Sequence, residues 1–219
     1  MRNLPLYEQW LNEIGDSSVK AFPWKVVTSY KKYFDECIEI GENYLKSGGE
    51  SMRWIPMEKN FEFEIKGEKA VYTAVMICSI HRRIQLMLKP GAKKDSKRWT
   101  LECSFHFDIK GSKKEINTNL NEHFQLMAAL TECAIDFIHN ASEVFKLDRV
   151  DINAKADDSD EDVKLDSKRG RLYLAYIKGN IRKLQGDWTA ELTQYGVTLK
   201  SGRWSTNNAD QQAKMFYNK

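Results

Sequence analysis

The stretch Leu101-Glu102-Cys103-Ser104-Phe105-His106-Phe107-Asp108-Ile109 sets the architecture. Apolar side chains stand at every odd position and polar ones at every even position. That is the two-residue period of a strand with one face in a core and the other in water. A strand of this kind needs apolar neighbours on its odd side, and the flanking sequence supplies them. Downstream, from about Asn121 to Ser142, Phe124, Leu126, Met127, Leu130, Cys133, Ala134, Phe137, Ile138 and Ala141 recur at helical spacing. They predict a long helix, with Asn119 or Asn121 available as its N-cap, lying across the sheet. Upstream, Phe61, Phe63 and Ile65 alternate with Glu62, Glu64 and Lys66, and Gly67-Glu68-Lys69 turns into an apolar stretch from Val71 to Ile80. These two segments read as a hairpin.

Further out, Val150, Ile152, Ala154 and Ala156 alternate as another strand, followed by the acidic segment DDSDEDVKLD at 157–166. Ser167 to about Leu184 reads as a helix with Leu172, Tyr173, Tyr176, Ile177 and Leu184 on its apolar side. Trp188 to Leu192 and Gly196 to Leu199 read as a closing pair of strands. Toward the N-terminus two amphipathic helices are expected, one over 4–15 and one from Thr28 to Lys46, the second ending at Ser47-Gly48-Gly49. The expected organisation is a helical extension at 1–50, a mixed-sheet domain at 51–200 and a polar, aromatic-ended tail at 201–219. The fold class is α+β, with a mostly antiparallel mixed sheet and helices on both faces.

A length of 219 residues allows one generous domain or two small ones. Lys and Arg number 34 against 31 Asp and Glu, a net charge of +3. This lacks the basic excess of a dedicated nucleic-acid binder, so nucleic acid is not the expected partner. The four cysteines, Cys37, Cys78, Cys103 and Cys133, are widely spaced with no C-x-x-C pair, and read as buried thiols in a reducing compartment. The four histidines are equally scattered, so no metal site is expected. The opening MRNLPLYEQWLNEIGD carries polar and acidic residues where a signal peptide needs an apolar core. No apolar run approaches the roughly 18–20 residues of a membrane span.

The strand and helix order resembles the GNAT acetyltransferases, in which antiparallel strands lead to a helix, a splayed strand, a second helix and a closing pair. The strand VDINAKA followed by SKRGRLYLAYI carries that likeness. Leu172-Tyr173 stands where the family has its L-Y pair, which implies Tyr173 as general acid toward a departing thiolate, with Glu102 or Asp151 as base. The family's pyrophosphate loop, however, needs glycines and bare N–H groups at the start of the central helix. Residues 115–123 read EINTNLNEH, with no G-x-G, and put Glu115 and Glu122 where phosphates would sit. The cofactor site is therefore expected to be absent, and no cofactor is assigned.

A second likeness spans most of the chain. Glu13, Gly15, Asp16, Ser17, Ser18, Lys20, Phe22 and Trp24, then the Phe61/Phe63 strand, then Arg171-Leu172-Tyr173, look like a family of small proteins that recurs in tailed-bacteriophage genomes. It implies a phage protein, located in the host cytoplasm or the virion.

Three other patterns bear on function. The acidic run at 157–166 fails as a calcium loop, because position 6 counted from Asp158 is Val163 rather than glycine. Lys168, Arg171, Lys178 and Arg182 gather on one face of the following helix. Trp10, Phe22, Trp24, Trp54, Trp204, Phe216 and Tyr217 fall in terminal or linker segments, where large aromatic side chains are suited to docking on a neighbour. The resulting expectation is a non-enzymatic bacteriophage protein, a virion-associated or assembly subunit that docks on phage or host proteins, or on itself, through aromatic arms. The alternatives are a GNAT-like acyltransferase and an inhibitor of a host factor acting through the acidic segment.

Overall fold

A computed structural model describes residues 19–50, 53–82, 99–109, 120–153, 168–184, 186–193 and 196–201. The helix expected at 4–15, the helix entry at 115–119, the acidic segment at 157–166 and the tail beyond residue 201 lie outside the described residues. In chain order the elements are β1 (Trp24–Val26), α1 (Tyr30–Lys46), β2 (Ile55–Pro56), β3 (Phe61–Lys66), β4 (Val71–Arg82), β5 (Trp99–Ile109), α2 (Leu120–Val144), β6 (Lys146–Asn153), α3 (Lys168–Asn180), a 3-10 turn (Ile181–Lys183), β7 (Trp188–Thr193) and β8 (Gly196–Ser201). The eight strands form one sheet in the order β1-β3-β4-β5-β6-β8-β7, with β2 pairing β4. Every pairing is antiparallel except β5 with β6, which run parallel and are joined by α2. A parallel pair needs a long crossover of this kind. The molecule is thus α+β, with a mixed, mostly antiparallel sheet.

Register fixes which residues share a face. Phe61 lies opposite Met76 and Met76 opposite Phe105. Cys103 lies opposite Val150, and Val150 opposite Leu199. All of these are buried. The three helices lie in one layer over this side. From α1 come Tyr33, Phe34 and Cys37, from α2 Leu130, Phe137 and Ile138, and from α3 Tyr173, Tyr176 and Ile177, all within one core cluster. Phe61 is fully buried and sits at the centre of the aromatic packing, stacked on Tyr30 at 4.5 Å and edge-on to Phe137 at 5.1 Å. Burying a phenylalanine side chain contributes about 1.5–3 kcal/mol.

Helices on both faces of the sheet were the expectation, and the structure corrects it. Among the described residues every helix lies on one face. The reason is visible in the strands: a helix on the other face would have to cover Glu62, Glu64, Glu102, Arg149 and Asp151, at the cost of desolvating their charges. The valines and isoleucine on the outer side of β4, which suggested apolar character on both faces, remain partly exposed there, Ile77 at 42%.

Residues 22–46 are also part of the body rather than a separate extension. β1 adds to β3, with Trp24 opposite Ile65. The Tyr30 hydroxyl donates to Asp136 Oδ2 at 2.6 Å and the Trp24 indole N–H to Glu132 Oε2 at 2.9 Å, both on α2. The α1 helix ends as its glycines predict. Gly48 adopts φ 87° and its N–H reaches Leu45 O, while Gly49 N–H reaches Tyr44 O at 3.0 Å. This pair of bonds is the Schellman arrangement, and the left-handed turn is where glycine is favoured. Gly41 has a different reason: a Cβ there would lie 2.5 Å from the Trp99 ring.

Candidate interaction face

The side of the sheet away from the helices carries the polar half of each alternating strand. Register lines these residues up in two adjacent rows. One runs Ile77, Ser104, Asp151, Thr198, Glu191, and the next runs Ser79, Glu102, Arg149, Lys200, Thr189. A register shift between Leu101 and Glu102 brings Arg149 opposite Glu102. Without it, Leu147 and Val150 could not both face the core, because they differ by an odd number of residues.

Acidic and basic side chains in these two rows bind one another. Arg149 Nε donates to Asp151 Oδ1 at 3.0 Å and lies 3.9 Å from Glu102 Oε1. The Thr198 hydroxyl donates to the same Asp151 oxygen at 2.6 Å. Lys200 pairs with Glu191 across β8 and β7. Ser104 Oγ and His106 Nε2 are 3.0 Å apart. Burial holds the Glu102 carboxyl above the usual carboxylate range, Arg149 pulls it back and Asp151 adds to the rise. Partly exposed ion pairs of this kind are worth about 0–1 kcal/mol each, so the ion pairs organise the surface more than they stabilise the fold.

Beside the charges lies an apolar margin on β4. Val71 is 36% exposed, Ile77 is exposed and Val75 is half-buried. Trp54, itself exposed, packs edge-on against His81 with ring centroids 4.1 Å apart. On the helix side, an open groove between α1 and β3 is lined by charged and polar groups, among them Lys32, Glu36, Glu58, Lys59 and Glu62. Lys59 pairs with Glu36 there.

The residues expected to act have separate fates. Phe22 is buried, its N–H bonded to Gln125 O, and Trp24 is half-buried edge-on to Phe63 at 5.8 Å. Both are thus spent on the chain's own core. Trp54 is the one aromatic candidate among the described residues with an exposed ring. Trp10, Trp204, Phe216 and Tyr217 lie outside the described residues. On α3, only the backbone is described at Lys168, Arg171 is half-buried and Lys178 exposed; Arg182, exposed as well, lies in the 3-10 turn that follows. Tyr173 is 3% exposed in the helix layer, whereas Glu102 and Asp151 stand on the opposite face of the sheet. The structure does not bring this acid and these bases together. Residues that the sequence reading passed over, Arg149, Thr198, Lys200, Glu191 and Ile77, complete the rows; strand parity places each on the outer side once the register is known.

The thiols lie on the covered side. Cys78 and Cys103 are directly opposite each other, and all four cysteines are buried and free. Burial pushes the Cys37 thiol up to about 12 and raises Cys103 and Cys133 as well. Among the described residues no three His, Cys, Asp or Glu side chains are grouped to hold a metal ion, and no helix is long and apolar enough to cross a membrane.

Compared with known proteins, the chain matches no protein-family model, no curated protein and no solved structure.

Proposed function

We propose that this chain is a non-enzymatic bacteriophage protein, a virion-associated or assembly subunit that docks on phage or host proteins. The observation that carries the docking part is the asymmetry of the sheet. One face is closed by three helices, while the other presents Ile77, Val71 and Trp54 beside an ordered, internally paired set of charges. An apolar margin rimmed by fixed polar groups is the composition of a recognition surface, where exposed apolar area supplies affinity and oriented charges supply specificity. The phage part rests on the likeness of the opening, the Phe61/Phe63 strand and the Arg171-Leu172-Tyr173 helix to the tailed-phage family.

The test is cross-linking of the full chain in infected cells, followed by mass spectrometry of linked peptides, with a parallel search for the chain in purified particles. The reading expects links from residues of β4, β5 and β6 to one recurrent partner, which Ile77→Ser removes. A chain that links to nothing and is absent from particles overturns it. So does a thermal shift of several degrees with acetyl-CoA, which would restore a cofactor site and with it the acyltransferase reading.

A further inference from the structure

Cys78 of β4 and Cys103 of β5 are register partners in the middle of the sheet, and both are buried on the helix side. Antiparallel partners come in two kinds, and the backbone shows which kind this is. The Cys78 carbonyl accepts the Met57 N–H at 2.9 Å, on the edge of β4 where β2 and β3 lie. A strand residue sends its N–H and C=O to the same side, so neither group of Cys78 is turned toward β5. The β3/β4 turn gives the same parity. Gly67 N–H bonds Ala70 O at 2.9 Å, and Ala70 stands an even number of residues before Cys78. Cys78 and Cys103 are therefore a non-hydrogen-bonded pair, the closer of the two kinds, with Cα atoms about 4.5 Å apart. A disulfide bridges Cα separations of about 4.4–6.8 Å.

A third thiol lies near the pair. Tyr33, Cys37 and Gly41 follow one another at four-residue spacing along α1. Tyr33 packs edge-on to Phe61 of β3, and a Cβ on Gly41 would meet the Trp99 ring of β5. Cys37 stands between them, close enough for Cys78 to raise its thiol. It comes from a different layer, whereas the strand register alone holds Cys78 and Cys103 opposite each other.

We propose that Cys78 and Cys103 form a cross-strand disulfide site, closed by a low-molecular-weight disulfide oxidant while the chain folds and sealed by the helix layer once it has folded. One cysteine thiolate attacks a sulfur of the oxidant and expels half of it as a thiolate. The second cysteine thiolate then attacks the mixed disulfide and expels the other half. The two protein thiols give up two electrons and two protons, and oxidised glutathione becomes two molecules of reduced glutathione. Sealing follows from burial. The thiolate is the nucleophile, both cysteines are at most 2% exposed, and burial raises the Cys103 thiol. In the folded chain, exchange in either direction waits for the β4/β5 ladder to open. The bond thus preserves the redox condition under which the chain folded. This inference is independent of the docking reading and needs only the purified chain.

The full chain, reduced and unfolded in urea, is refolded with reduced and oxidised glutathione, alkylated, and digested without reduction for mass spectrometry. The 78–103 link should be the main product, with Cys37 and Cys133 alkylated. Cys37→Ala should keep the link and Cys103→Ala should abolish it. The native reduced chain in the same glutathione mixture should form the link at least about tenfold more slowly, since the ladder must first open. Should refolding be incomplete, the native chain held with the same mixture just below its urea midpoint gives the same readout. A main link through Cys37 or Cys133, or a refolded chain with no disulfide, overturns the proposal. So does a native chain oxidised as fast as the folding one.

Discussion

The two faces of the sheet are made by the same strands, one residue apart, and they do opposite work. On the covered face Phe61, Met76, Phe105 and Val150 are at most 2% exposed and meet three helices. On the opposite face Arg149 pairs with Glu102 and Asp151, Lys200 pairs with Glu191, and Ile77 stays exposed. On the docking reading proposed above, stability and recognition fall on alternate residues, so either should be alterable without the other.

The largest effect belongs to the covered face. Phe61→Ala or Phe137→Ala should cost about 3–5 kcal/mol in urea unfolding, since each empties a packed aromatic site. A loss below about 1 kcal/mol would mean that the aromatic cluster is not what holds the helices to the sheet. On the face away from the helices the contact most costly to remove is a hydrogen bond. Thr198 is 1% exposed and its hydroxyl meets the Asp151 carboxylate, so Thr198→Val should cost about 1–2 kcal/mol, measured the same way.

Glu102 gives a smaller and pH-dependent effect. Its folded carboxyl titrates above the unfolded one, chiefly because of burial. Its contribution is therefore fully present below the unfolded pKa and is lost as pH rises through the folded pKa. Glu102→Gln should flatten the stability profile just above the ordinary carboxylate range, by less than about 1 kcal/mol given its partial exposure. A profile unchanged by the substitution would place the carboxyl in a more open setting. The smallest effect is expected at Ile77. Ile77→Ser should shift stability by no more than about 0.5 kcal/mol while abolishing partner cross-linking, and a substantial loss of stability would mean that this face too is packed.

Much of this frame was legible in the sequence, for reasons that particular residues make plain. The alternation from Leu101 to Ile109 and the stripe from Phe124 to Ala141 each repeat long enough to identify β5 and α2 without knowledge of neighbours. β1 was not legible, since three residues after a proline carry no period, and Trp24 therefore looked like part of an arm. The one-sided helix layer was not legible, since Val75 and Ile77 put apolar side chains on both sides of β4. The charged rows could not be assembled because their alignment depends on the shift at Leu101/Glu102, a property of two strands together. Tyr173 was recognised as a residue of the apolar helix side, and burial in the core is where it lies.

The parallel join of β5 and β6 also governs the order in which the chain assembles. Strands β3, β4 and β5 are neighbours both in sequence and in the sheet, and β7 with β8 close across two residues, so both sets are rich in short-range contacts. The β5/β6 seam and the β6/β8 pairing both join residues more than forty apart, so β6 should be slower to nucleate into the sheet than the local hairpins. The molecule should then behave as two locally folding halves joined through β6. Pulsed hydrogen exchange during refolding should protect the Cys78 amide within the antiparallel ladder before those of Val150 and Ile152; simultaneous protection would mean that the seam and the ladder arise together.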